Sequence, residues 1–217
     1  KVVGAFRFAR DEEIVAALNR HQKFIRGRIA PDLDLKFAPE FRFFVDTTFE
    51  LLEQHFCVVF AGNLGTAQAL EILVQAAVHL RDEPCIRLVL VGSGSRLAWL
   101  KAQQQALGLN NLILPGRFPM ESMPQIFDRA SALLVSLNDE PAFAQTVPSK
   151  IQAYLAAGRP ILACMNGEGA RVVCEARAGL ASPAEQVLPL VANIRCMQAL
   201  GASERGAMGT SGRAYFD

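Results

Sequence analysis

The sequence predicts a doubly wound α/β domain, a parallel sheet with helices on both faces, from about residue 51 onward. Two observations carry that reading. Short apolar, β-branched runs recur along this stretch, as strands buried on both faces do. Between them lie longer segments with apolar residues at helical spacing, and such alternation means βαβ units.

The first strand is "FCVVFAG" (56–62), and "TAQALEILVQAAVHL" (66–80) follows as a helix with Leu70, Leu73, Val74, Ala77 and Leu80 on one face. "IRLVLVG" reads as the second strand, and "SRLAWLKAQQQALG" as a helix that Gly108 ends. "NLILPG" is a third strand, followed by a short helix, "ESMPQIFDRA", with Pro124 in its first turn. "SALLVSL" is the fourth strand. An irregular stretch, "NDEPAFAQT", precedes the helix "VPSKIQAYLAAG", with Pro148 near its start and Gly158 at its end. "RPILACM" is a fifth strand and "EGARVVCEARAG" a fifth helix. A brief "GLAS" then leads into a long helix, "PAEQVLPLVANIRCMQALG".

Residues 1–50 do not share this alternation. They hold one expected helix, "DEEIVAALNRHQKFI", and a polar, proline-bearing connector, "RGRIAPDLDLKFAPE". The expected organisation is therefore the tail of a preceding unit plus a linker (1–50) and an α/β domain (51–217).

Composition narrows the function classes. Hydrophobic residues make up 51% of the 217, ample for a core, and the net charge of +1 announces no nucleic-acid partner. One local run, "RHQKFIRGR" (20–28), is basic without an acid; it reads as a solvated face or as a contact for an anionic membrane. The five cysteines lack C-x-x-C spacing, which argues against a zinc site and a disulfide framework and for a reducing compartment. No run approaches the ~20 continuous apolar residues of a transmembrane helix. The expectation is a cytoplasmic protein, with peripheral contact to the inner membrane allowed by the basic run.

In such sheets ligands bind beyond the carboxyl ends of the strands. That selects "GNLG" (62–65), "GSGS" (92–95), "PGRFP" (115–119), "NDEPAFAQTVPSK" (138–150) and "MNGEGA" (165–170). Glycine lets backbone approach an anion closely, so these loops together point to a nucleotide or phosphorylated ligand. A dinucleotide fingerprint is absent: in "GSGSRL" the third glycine is Leu97, and no acid stands about twenty residues on. No G-x-x-x-x-G-K-[ST] occurs, which excludes a P-loop.

Two helix starts stand out. Lys150 lies in a first turn, where the macrodipole disfavours a cation; an anion shared with Ser149 and nearby N–H groups would explain it, and a solvated lysine is the plain alternative. Glu168, between Gly167 and Gly169, caps a helix or accepts sugar hydroxyls.

These residues resemble the C-terminal, donor-binding domain of retaining family-4 glycosyltransferases, one Rossmann-like half of a GT-B fold. The resemblance covers about residues 56–215 and is most specific in "PSK…YLAAGRPI…NGEGA", similar to the type that builds bacterial surface polysaccharides, including N-acetyl-L-fucosamine transferases. It implies a UDP-sugar donor, a polysaccharide or lipid-linked acceptor in lipopolysaccharide, O-antigen or capsule assembly, and no metal or other cofactor. By that resemblance Gly62 and Asn63 approach the diphosphate, Gly92, Ser93 and Gly94 line the nucleotide cleft, and Arg117 and Phe118 flank the base. Ser149 and Lys150 meet the diphosphate or the sugar, with Lys150 stabilising the leaving group.

Two departures qualify these roles. The family's Glu-x7-Glu, aligned on Gly158, falls on Gln145 and Ala153, so the ribose needs Gln152 or another group. The first loop, usually basic, carries Gln68. Acceptor and catalytic groups are expected from an N-terminal domain of similar size, which residues 1–50 cannot form; alone, this chain is expected to bind nucleotide and turn over little. The rival readings are a nucleotide-sugar epimerase of the same fold, with Glu168 and Glu140 as its carboxylates, and a non-catalytic nucleotide-sugar-binding domain.

Overall fold

The computed structural model describes residues 11–32 and 47–217, and the chain divides into two units, Lys1–Thr47 and Thr48–Asp217. In the first unit α1 (Asp11–Arg20) and α2 (Gln22–Ile29) run into a 3-10 turn, Ala30–Asp32. The single helix expected there is two, because His21 (φ −97°, ψ 9°) leaves the helical region between them. The basic run begins with Arg20 at the end of α1 and continues along α2, which buries none of its residues. Most of the expected connector, residues 33–40, lies outside the described residues.

The second unit opens with α3 (Thr48–Gln54) and then alternates: β1 (Phe56–Asn63), α4 (Leu70–His79), β2 (Ile86–Ser93), α5 (Leu97–Ala106), β3 (Leu112–Gly116), α6 (Met123–Arg129), β4 (Ala132–Ser136). After a single turn, α7 (Pro141–Ala144), come α8 (Ser149–Ala157), β5 (Ile161–Cys164), α9 (Glu168–Glu175), β6 (Gly179–Ser182), α10 (Val187–Ala199) and α11 (Ala202–Phe216). All strand pairs are parallel, in the order β3-β2-β1-β4-β5-β6. That is the doubly wound Rossmann order expected from the alternation, with its reversal between β1 and β4.

Strand residues alternate between the two faces. Val58, Phe60, Leu88, Leu90, Leu134 and Leu162 join Leu73 and Ala77 of α4 and Leu190 and Ile194 of α10 in one buried cluster. At roughly 25 cal/mol per Å² of apolar surface, this cluster is what holds the helices to the sheet.

Three elements differ from expectation. The helix drawn over 66–80 begins at Leu70, because Ala69 is left-handed (φ 46°, ψ 47°) and Thr66–Gln68 form a separate 3-10 turn. "GLAS" is a sixth strand, paired from Ile161↔Gly179 to Cys164↔Ser182; four small residues carry almost no strand preference of their own. α11 has Gly206, Gly209 and Gly212 inside it, a composition that disfavours helix. Packing overrides propensity there: a Cβ on Gly209 would sit 2.0 Å from the Gly158 carbonyl oxygen.

At the reversal the strands part. β1 stays paired with β2 through Asn63↔Ser93, but with β4 it pairs at Val58↔Ala132 and Val59↔Leu133. Ala61 is thus left without a β4 partner. Tyr154 of α8, 1% exposed, fills the gap: its hydroxyl accepts the Ala61 N–H at 3.0 Å, and its ring meets Phe127 edge-on at 5.4 Å. Tyr154→Phe is expected to cost about 1–3 kcal/mol in urea unfolding, by leaving that buried N–H unpaired. A loss within error of zero would mean water replaces the hydroxyl.

Candidate functional site: a cleft at the sheet reversal

The carboxyl ends of β1, β2, β4 and β5 meet around this parting. The loop after β1 is laced to its neighbours on both sides. Leu64 N–H donates to Ser93 O at 2.9 Å and Arg96 N–H to Leu64 O at 3.0 Å, joining the loops after β1 and β2. Asn138, just past β4, donates from its side chain to Thr66 O (3.1 Å) and from its backbone to Ala67 O (3.0 Å).

Glycine is required at the closest of these approaches. Gly62 (φ +140°) and Gly92 (φ +147°) end paired strands side by side, and a Cβ on Gly92 would stand 1.8 Å from the Gly62 carbonyl oxygen. Gly94 is as tightly held, its would-be Cβ 2.4 Å from Leu64 O and 2.7 Å from Asn63 Oδ1. Two backbones therefore run in contact here.

Lys150 enters this place from the first turn of α8. Its Nζ donates to Gln68 Oε1 at 3.0 Å and lies 3.5 Å from the centroid of the Phe60 ring. The amine rests against Gly62, 3.4 Å from where a Cβ on that residue would be. The ring face favours the ammonium, whereas burial favours the neutral amine and dominates, lowering the pKa to about 7. Gln68 reaches Lys150 because Ala69 interrupts the helix and keeps Thr66–Gln68 in the loop. An amine at pKa about 7, held by a neutral amide at a strand reversal, is a half-empty anion partner: a diphosphate would supply the charge that Gln68 lacks.

The other expected residues are placed as follows. Gly62, Asn63, Gly92, Ser93, Gly94 and Lys150 gather at the joined ends of β1 and β2. Ser149 is exposed at the start of α8, beside Lys150, and Gln152 is exposed one turn on. Arg117 is exposed after β3, but Phe118 is 6% exposed and packs edge-on to Phe49 at 6.1 Å. The Phe118 ring is thus spent on α3, and what this turn can offer a base is backbone. Glu168 starts α9 in an ion pair with Arg171 at 2.6 Å, and that hydrogen bond holds its carboxyl below the usual range. Gly167 (φ +82°) brings the same loop against α7, where a Cβ would lie 2.0 Å from Ala144 O. Sequence reasoning passed over Phe60 and Tyr154, which read as core; it selected the loop that Asn138 opens without giving Asn138 a role of its own.

The chain matches a family model described as Glycosyl transferases group 1 over residues 55–198. Over 144 residues it is 33% identical to the putative colanic acid biosynthesis glycosyl transferase WcaI of Escherichia coli K12, covering 64% of this chain and 34% of that protein. Its fold is similar to that of HepE of Anabaena solved with UDP, with a TM-score of 0.65 at 18% identity, covering 78% of this chain and 46% of that one. Over 44 residues the chain is 54% identical to ribosome-binding factor A of Chelativorans sp. BNC1, covering 20% of this chain and 33% of that protein. The chain thus spans about a third of the curated relatives it matches.

Proposed function

The chain belongs to the group 1 glycosyl transferases, and on that footing we propose that it is the donor-binding half of a retaining enzyme that takes a UDP-sugar. The observation that carries this reading is Lys150, a partly neutral amine set against the paired backbones of Gly62 and Gly92 at the sheet reversal. A diphosphate placed there meets Lys150, Ser149 and the N–H groups that begin α8. Charge on the departing diphosphate is met by these fixed donors, and no metal or other cofactor is proposed. The likeness to a colanic acid transferase supports an acceptor in surface-polysaccharide assembly, polymeric or lipid-linked, at the cytoplasmic face of the membrane.

The same proposal reads residues 1–50 as the tail of a preceding unit plus a linker. A second reading, nucleotide-sugar binding without transfer, is favoured by one observation: Gln145 and Ala153 stand where the family's carboxylates belong, and Glu168 is engaged by Arg171.

Thermal unfolding against UDP, GDP, ADP and NAD tests the donor. UDP at 100 times its Kd should add about 2.7 kcal/mol, a rise of roughly 5–10 °C for a chain of this size. A rise with GDP, ADP or NAD and none with UDP would remove the UDP-sugar reading.

A further inference from the structure

The opposite edge of the sheet carries a second concentration of positive charge. At the amino ends of β1, β4 and β5 lies a cavity of about 200 Å³, lined by Arg129, Arg159 and Arg205. It adjoins one of about 370 Å³ that shares Ser131 and Arg205 and is lined also by His55. The three arginines come from three elements: the end of α6, the turn after α8, and the first turns of α11.

Ordinary structural roles account for two of them. Arg129 donates to Glu53 at 3.1 Å and to Gln125 O at 3.1 Å. Arg205 donates through Nη1 to the Met197 and Leu200 carbonyls that end α10. Each uses part of a five-donor fork. Arg159 is different: it makes no hydrogen bond or ion pair among the described residues, although its backbone is fixed where Gly209 of α11 closes on Gly158. A half-buried guanidinium that lines one cavity with two others has like charge beside it, and an anion would join all three.

Further donors converge on the same place. The Ser131 hydroxyl accepts the Cys57 N–H at 3.1 Å, which leaves its own proton to give. His55 Nδ1 is buried without a partner in the adjoining cavity. Ala202, first residue of α11, lines the cavity with the positive end of a 15-residue helix. Glu204, in the first turn, caps that end and offsets part of its charge, its carboxylate accepting the Gly201 N–H at 2.8 Å, so the arginines carry the attraction.

We propose that this arginine cavity, at the edge of the sheet remote from Lys150, binds a phosphate group, free or borne by an ester. Planar guanidinium forks from three sides suit a tetrahedral oxyanion. The site is independent of the donor cleft, since no residue serves both.

Calorimetric titration of the 217-residue protein with inorganic phosphate, at matched ionic strength, tests this. Arg159→Ala and Arg159→Gln should each weaken phosphate binding by about tenfold, the loss of roughly one charge-assisted pair, while Arg195→Ala, which removes an arginine that lines neither cavity, leaves it unchanged. Equal affinity in the Arg159 variants overturns the proposal, and so does an equal loss in Arg195→Ala, which would make the binding a matter of net charge. Sedimentation with phosphatidylcholine vesicles, with and without phosphatidic acid, separates the sources. Recruitment by phosphatidic acid that needs Arg159 places the phosphate on a lipid; binding of free phosphate without recruitment places it on a soluble molecule. Absence of both ends the proposal.

Discussion

Lys150→Met is expected to weaken UDP binding by about a hundredfold while leaving the protein folded. Truncating one partner of a buried, hydrogen-bonded charge pair typically costs about 2–5 kcal/mol, and the basic side chains at the starts of α5 and α9 are already engaged. Arg96 is paired with Glu71, and Arg171 with Glu168 and Glu175. The same variant has a signature without nucleotide. The folded pKa of about 7 lies below the ordinary value near 10.4. Between the two the unfolded chain holds more protons at this position, so stability rises with pH there, by at most about 1.4 kcal/mol per unit. Burial pushes the Cys57 thiol up to about 12 and the Cys164 thiol upward, which lowers stability once unfolded thiols ionise above about 8.5. The clean window is therefore about pH 7 to 8.5. Urea midpoints should climb across it in the parent and stay flat in Lys150→Met. A parallel climb in both would show that Lys150 is charged throughout, and would remove the proton uptake that UDP binding otherwise brings.

Gly92→Ala is expected to destabilise the protein by more than about 3 kcal/mol, or to prevent folding. Its φ of +147° is costly for any L-residue, and the added carbon would stand 1.8 Å from a backbone oxygen of Gly62. The atoms met are backbone and not a flexible side-chain end; relief requires parting β1 from β2 at a paired position, Gly62↔Gly92. Gly108→Ala is the matched control: φ is +61° and nothing lies within 4 Å, so only the roughly 1–2 kcal/mol of a left-handed alanine is lost. Equal losses in the two variants, by urea unfolding, would mean the contact between the two loops is dispensable.

The sheet was legible because burial on both faces forces uninterrupted apolar strands, and "FCVVFAG", "IRLVLVG" and "SALLVSL" leave little else to be. The pieces that escaped are held by partners distant in sequence. β6 is four small residues that become a strand only against β5, and α11 is helical because Gly209 and Gly212 let it sink onto the end of α8 and onto Ala178. In the site, glycine-rich loops announced where backbone would be bare. They did not announce that Ala69 would break a helix and hand Gln68 to Lys150, because nothing local asks alanine to be left-handed. Phe118 shows the converse: its place in a motif gave it to a ligand, and the hydrophobic effect gave it to Phe49.

The parting of β1 from β4 makes the cleft a seam in mechanical terms. β1, β2 and β3 form one leaf and β4, β5 and β6 another, sewn together at Val58 and Val59, at Tyr154 and at Asn138. Gly62 belongs to the first leaf, and α8, which carries Lys150, follows β4 of the second. A ligand gripped by both works as one more stitch, at the end where the sheet supplies none, so occupancy and stiffness of the two leaves rise together.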